Sequence, residues 1–231
     1  MDPYIGCQHA CKYCYVFRKQ FLDKGDSDHS QDFWGDFVDP KVNIVEVLEE
    51  ELKNTKRGGV LLSALTDPYQ PLEHKYRLTR KCLEVLLKYN FRVLILTKSD
   101  LLARDLDILT KFKNADVGLT ITTDDDSVRQ IIEPNSSSIE ERINTLRTFN
   151  SRKVTTYAHV GPILPMNPSN LVDKINDFLD YAIIDRMTYI SPELEELYQR
   201  NGFDYALGED YFKANEKELK RLFEKKNIRI W

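Results

Sequence analysis

The chain has 231 residues, 42% of them hydrophobic and 30% charged, with a formal net charge of −4. That length suits one α/β domain, and no run approaches the ~20 consecutive apolar residues of a membrane-spanning helix. The acidic balance argues against the basic footprint of a dedicated nucleic-acid binder and leaves room only for a local basic groove.

The chain opens MDPYIGCQHACKYCYVF, with Cys7, Cys11 and Cys14 spaced C-x3-C-x2-C and a fourth cysteine, Cys82, far downstream. Three clustered thiols fit metal ligation in a reducing compartment better than a disulfide scaffold. No secretory leader precedes them, so a cytoplasmic location is expected. Residues 21–40 are polar and rich in Asp; they predict a long loop anchored by Phe33, Trp34 and Phe37. A helix starts at Asn43, with Ile44, Val47, Leu48 and Leu52 on one face, and Gly58-Gly59 stop it. VLLSALTD then reads as a strand. Thr79 is expected to cap a helix whose apolar face carries Cys82, Leu83, Leu86 and Leu87. RVLILTKS is the next strand, Leu106 to Phe112 a short helix, and DVGLTITT a strand. Ser138 with Glu141 three residues on forms a capping box for a helix through Phe149. VTTYAHVGPILP is a strand, Asn170 to Ala182 a helix, MTYIS a further strand, Tyr211 to Lys226 an amphipathic helix, and IRIW a closing strand.

Strand and helix alternating at this spacing imply a parallel sheet with helices outside it. Five or six such units fit a barrel or partial barrel, in which chemistry sits at the carboxyl ends of the strands. Polar residues do cluster at those ends: Ser63 to Tyr69, Thr97 to Ser99, Thr120 to Thr123, and His159 to Pro162.

Three thiolates so close together suggest an iron–sulfur cluster, which proteins bind through cysteine. A four-iron cube on three cysteines leaves one iron without a protein ligand, free to take another molecule. The alternative is a structural zinc site completed by His9 as Cys3His. Zinc sites usually split their ligands into two pairs across a longer loop, whereas these four fall within eight residues.

GCQHACKYCY resembles the cluster loop of the radical S-adenosylmethionine (SAM) enzymes. WGDFVDPKVN, SALTDPYQPLEHKYRLTRKCLEVL, VLILTKSDLLARDLDIL, TITTDDDSVRQIIEPNSSSIEERINTL and VGPILP follow in that order and resemble the spore photoproduct lyase-like branch, over roughly residues 3 to 170. The resemblance implies an α/β fold, one partial parallel (β/α)6 barrel; only six residues precede Cys7 where that fold usually has its first strand, so this strand is expected to be missing or shortened. In this barrel the cluster loop spans 5–17, the barrel core about 42–192 and a C-terminal helical extension about 193–231. It implies one [4Fe-4S] cluster on Cys7, Cys11 and Cys14, SAM bound at the open iron, and an external one-electron reductant such as flavodoxin or ferredoxin. Reductive cleavage of SAM would yield a 5′-deoxyadenosyl radical that abstracts hydrogen from the substrate, a reaction of lyase or oxidoreductase type.

The same resemblance implies roles for single residues. Tyr13 would lie near the adenine of SAM, and Tyr15 would face the substrate as a catalytic residue. Ser63 and Asp67, with Thr66 beside them, would meet the SAM amino group. Lys98 and Arg142 would meet the carboxylate, and Thr120 or Thr122 the ribose or carboxylate. Each has a plainer reading. Asp67 and its neighbours make a turn, Lys98 is a solvated strand-end lysine, and the threonines follow β-propensity. Arg142 pairs with Glu133, the tyrosines pack the loop, and His159 is a satisfied core histidine. Cys82, on an apolar helix face, reads as a small buried hydrophobe. Spore photoproduct lyase itself uses a further cysteine between the cluster loop and the DPYQ-like strand end, and residues 15–66 hold none. Two other functions therefore stay open: a non-catalytic iron–sulfur or zinc module, and a photoproduct repair lyase. Nucleic acid is a partner that the charge does not favour, and no membrane is expected.

Overall fold

The computed structural model describes residues 1–17, 29 and 32–231; half of the expected 21–40 loop lies outside them. A two-residue strand β1 (Tyr4–Ile5) pairs antiparallel with β2 (Asp39–Pro40) and closes the segment that carries the cysteines. From there strands and helices alternate. They are α1 (Ile44–Leu52), β3 (Gly59–Leu62), α2 (Glu73–Tyr76), α3 (Leu78–Lys88), β4 (Arg92–Thr97), α4 (Leu106–Leu109) and β5 (Ala115–Thr120). There follow α5 (Asp126–Ile132), α6 (Ile139–Ser151), β6 (Thr155–Val160), α7 (Pro168–Ile175), β7 (Tyr181–Ile184), α8 (Pro192–Arg200), α9 (Glu209–Lys225) and β8 (Arg229–Ile230).

Strands β3 to β8 lie side by side in chain order, every neighbouring pair parallel. This is the six-stranded partial-barrel sheet expected from the alternation. All six strands follow the cysteine loop. Ahead of it only Met1 meets the β3 edge: its amino group donates to Leu61 O (2.9 Å) and its carbonyl accepts from Ser63 N (2.7 Å), a single rung of parallel pairing.

Side chains alternate between the two faces of each strand. Val93, Ile95, Val117, Leu119, Ala158 and Val160 are buried in one core with the inner faces of α3, α6, α7 and α9. The opposite face is concave. On it Leu96 pairs with Gly118, Gly118 with Tyr157, and Tyr157 with Tyr181. The Tyr157 and Tyr181 rings stack at 4.8 Å, and the Tyr157 hydroxyl donates to Ile95 O (3.0 Å). Tyr181 donates to Asp116, which also accepts from Arg92. These rings fill the lower part of the concave face. Gly118 makes that possible, because a Cβ there would overlap the Tyr157 ring.

Several local expectations change. The 170–182 helix stops at Ile175, and a 3-10 turn (Asn176–Phe178) leads into β7 at Tyr181. The apolar spacing of Leu171, Val172, Ile175 and Leu179 extends past the helix, because Leu179 is buried from a non-helical backbone. MTYIS (187–191) is therefore not a strand; it crosses the open end of the sheet after β7. Thr79 is not a cap. Helix α3 starts at Leu78, after left-handed Arg77 (φ 55), and the Glu73 carboxylate accepts the free amides of Thr79 and Arg80. Phe37 is buried and stacks on His29, but Phe33 is 80% exposed and anchors nothing. The Ser138–Glu141 capping box forms as expected, with both reciprocal bonds present. Ser138→Ala should cost about 1 kcal/mol in denaturant unfolding; a loss under about 0.3 kcal/mol would show that the cap contributes little.

Candidate functional site

The cysteine loop crosses the carboxyl end of the sheet and is held from two sides. On one side is the turn after β3. Gln70 Nε2 donates to Gly6 O (3.2 Å), and its Oε1 accepts from Gln8 N (3.0 Å). On the other side is the segment after α5. Asn135 Nδ2 donates to Gln8 O (2.8 Å), His9 Nδ1 lies 3.0 Å from Asn135 O, and Lys12 N donates to Ile132 O (2.9 Å). Gly6 is left-handed (φ 82), with Phe37 packed where a side chain would stand.

Beneath the loop lies a cavity of about 360 Å³. Cys7, Cys11 and Cys14 all line it, and none of the three is in a disulfide. Burial pushes the Cys7 thiol up to about 12, with nearby Asp67 adding to the shift. Burial also raises Cys11 well above the ordinary thiol range, against the opposing Lys98 charge. Any metal bound here must displace protons from these thiols. Among the described residues no three His, Cys, Asp or Glu side chains converge as a single metal ion requires. His9, the expected fourth zinc ligand, is turned to Asn135 and to Asp67 (Nε2 to Oδ2 3.3 Å). The three cysteines share the lining of one cavity.

The strand ends supply the rest of the wall. Thr120 and His159 lie in β5 and β6, and Asp67, Lys98 and Asp185 lie in the segments that follow β3, β4 and β7. Lys98 spans the interior, its Nζ 5.7 Å from the Tyr13 ring centroid. Burial opposes its charge, but Cys11, Glu133 and Asp67 together hold its pKa above the usual lysine value. Asp67 is well occupied: it accepts from Thr97 Oγ1 (2.5 Å), Lys98 N (2.8 Å) and Tyr69 N (2.9 Å). Burial would raise its pKa, yet His9, the Thr97 bond and Lys98 outweigh that and hold the carboxylate well below its usual range. Burial lowers His159 to about 4, Lys98 adding to the effect, so the imidazole is neutral near pH 7. Gly161 leaves room for its ring, since a Cβ there would lie 2.5 Å from it.

The expected site residues divide accordingly. Cys7, Cys11, Cys14, Tyr13, Tyr15, Asp67, Lys98 and Thr120 line the one cavity. Thr122, Ser63 and Arg142 do not. Thr122 is wholly buried and donates to Glu133 Oε1 (3.1 Å). Ser63 is left-handed (φ 60) behind the wall, and the residues after it, Ala64 to Asp67, form the surface. The backbone amides of Ala64, Leu65 and Thr66 all donate to Asp2 Oδ1 and fix that wall. The carboxylate-binding role expected of Arg142 gives way to its plainer one. Its guanidinium is wholly buried and binds Glu133 (2.6 Å), Thr120 O (2.8 Å), Ser137 O (2.9 Å) and the Ser136 hydroxyl. Glu133 in turn accepts from the Tyr13 hydroxyl. Tyr15 donates to Ala64 O (3.3 Å) at the mouth. Cys82 is buried in α3, away from the cavity.

The sequence reading missed Asp185, Arg186 and Tyr189, which complete the wall after β7. Taking YAII as the strand would have placed Asp185 at its carboxyl end, like the other wall residues. Gln70 and Asn135 were also missed; both lie in the motif blocks DPYQP and EPN.

A parallel partial barrel with three cysteines lining a cavity at its carboxyl end defines a class of α/β barrels that carry a cysteine loop across the strand ends. The chain belongs to the radical SAM superfamily, whose family model matches residues 1–179. An uncharacterised protein of Methanocaldococcus jannaschii is 31% identical over 236 residues, covering 100% of this chain and 87% of that one. An uncharacterised protein of Acidianus two-tailed virus is 34% identical over 167 residues, covering 71% of this chain and 55% of its own length. Among solved structures, a spore photoproduct lyase variant superposes with a TM-score of 0.69 at 14% identity, covering 99% of this chain and 74% of that one. SuiB of Streptococcus suis, bound to S-adenosylmethionine, gives 0.56 at 15% identity, covering 88% and 46%. At these identities the structural likeness shows the fold. Among the described residues no helix is long and apolar enough to cross a membrane.

Proposed function

We propose that the protein is a radical SAM enzyme that holds one [4Fe-4S] cluster on Cys7, Cys11 and Cys14 and binds SAM beside it. The observation that carries this is that three cysteines outside any disulfide line one cavity together with Lys98. The donor set fits the group: thiolates suit iron–sulfur clusters, and three of them leave a corner open. When bound, the cluster and SAM supply a 5′-deoxyadenosyl radical able to take hydrogen from a substrate.

The chain's own residues bind and orient. Lys98, half-buried and cationic, takes the SAM carboxylate as a charge-assisted partner. Thr120 offers a hydroxyl at the end of the neighbouring strand, and the ring of Tyr13 offers an apolar face. Asp67 acts through others: it holds the Lys98 amide and faces His9. Tyr15, at the mouth, faces the substrate, with His159 and Asp185 on the wall beyond. An external one-electron donor of flavodoxin or ferredoxin type supplies the electron. The zinc reading lacks three ligands converging on a point among the described residues. The photoproduct-lyase reading lacks a fourth thiol, since Cys82 lines no part of the cavity.

The test is 5′-deoxyadenosine formation by the anaerobically reconstituted protein with SAM and dithionite. Turnover above the protein-free background is expected. A preparation verified to hold four irons that makes none would overturn the reading in favour of a non-catalytic module. Lys98→Met should weaken SAM binding about 10- to 100-fold, the worth of one charge-assisted hydrogen bond. Equilibrium titration of the loaded protein checks it, and an unchanged Kd would remove Lys98 from the contact set.

A further inference from the structure

We infer that Gln70 and Asn135 are positioning residues for the cluster, acting through the backbone on either side of Cys7 and touching no cofactor themselves. The inference rests on the proposed function for its consequence but on geometry for its substance. Gln70 is wholly buried, and neither its side chain nor that of Asn135 lines the cavity. Its amide meets the carbonyl of Gly6 and the N–H of Gln8 at once. That is the pattern a neighbouring parallel strand would present to the residue between them, which is Cys7. A glutamine tip, with one acceptor and an N–H2 donor on the same planar group, matches it; glutamate lacks the donor and methionine lacks both. Asn135 adds the third bond, to Gln8 O, from the opposite side. The backbone at 6 and 8 is thus fixed by side chains from two different loops. The thiol of Cys7 is aimed before any cluster arrives.

This predicts a folded apoprotein in which the loop is already ordered. Gln70→Met keeps the volume and removes both bonds. In the apoprotein it should speed hydrogen exchange of the Gln8 amide at least about tenfold while β5 amides stay within about threefold of wild type. In the reconstituted protein the same change should speed removal of iron by a chelator about tenfold and alter the electron paramagnetic resonance spectrum of the reduced cluster. Asn135 is exposed, so Asn135→Ala leaves the core intact and provides a second variant; it should raise the chelation rate about threefold. Wild-type exchange at Gln8 together with wild-type chelation in both variants overturns the inference. If the wild-type protein takes up no cluster, the proposed function fails. The exchange arm still decides whether Gln70 orders the loop.

Discussion

Cys11→Ala is expected to reduce iron in the reconstituted protein to background and 5′-deoxyadenosine formation to the protein-free rate. The reason is geometric. Cys7, Cys11 and Cys14 line one cavity and lie within electrostatic reach of one another, while His9 is committed to Asn135 and Asp67. The same outcome is expected for Cys7→Ala and Cys14→Ala. Cys82→Ala is the contrasting case: its thiol is wholly buried in α3 and far from the loop. It should keep full iron content and turnover and cost about 1 kcal/mol of stability for the small void. Iron and sulfide analysis beside the activity assay reads the result. Normal cluster content in Cys11→Ala, or loss of the cluster in Cys82→Ala, would reassign the ligands.

Arg142→Ala should destabilise the fold by about 3–5 kcal/mol, the cost of leaving one member of a buried ion pair alone. Glu133 and Arg142 are both wholly buried, 2.6 Å apart, and Arg142 also satisfies the carbonyls of Thr120 and Ser137. Removing the guanidinium leaves a buried carboxylate without its cation, held only by neutral hydroxyls, and takes a donor from two carbonyls. Replacing the pair together, as Glu133→Gln with Arg142→Met, should recover part of that loss because no uncompensated charge remains. The pH dependence has a definite sign. Burial alone would raise the Glu133 pKa, but Arg142 first, then Lys98 and the Tyr13 hydrogen bond, hold it below the ordinary value of 4.5. A carboxylate with a lowered folded pKa contributes stability above its unfolded pKa and loses it as the pH falls through the folded value. The gap between wild type and Arg142→Ala should therefore be widest near neutral pH and narrow below about 4.5. Urea unfolding at pH 7 and in the acid range measures both; a deficit under 1 kcal/mol at pH 7 would refute the structural role. Because Glu133 also holds Tyr13 and Thr122, the variant should loosen one wall of the cavity.

The three-thiol motif, the alternation of strand and helix that implies a parallel sheet, and the Ser138 cap were all legible in the sequence, because each depends on spacing along the chain. Apolar periodicity fixes which residues are buried, and a cysteine cluster within one loop needs no distant partner to be recognised. Where two long-range choices competed, the sequence was silent. Arg142 has the same chemistry whether it grips a ligand carboxylate or Glu133, and only the path of the segment after α5 brings Glu133 within 2.6 Å and closes the guanidinium off from the cavity. Thr120 and Thr122 share a strand parity, but β5 ends at Thr120, so one hydroxyl reaches the cavity and the other turns to Glu133. The segment 170–190 misled because helix period and strand burial both satisfy its apolar residues; pairing with β6 is what selects Tyr181–Ile184 as the strand and puts Asp185 on the wall. Composition and local pattern thus determined the class of fold and the cluster motif. Tertiary structure decided which polar side chains face the cavity and which are spent holding it, since that choice rests on contacts between residues dozens of positions apart.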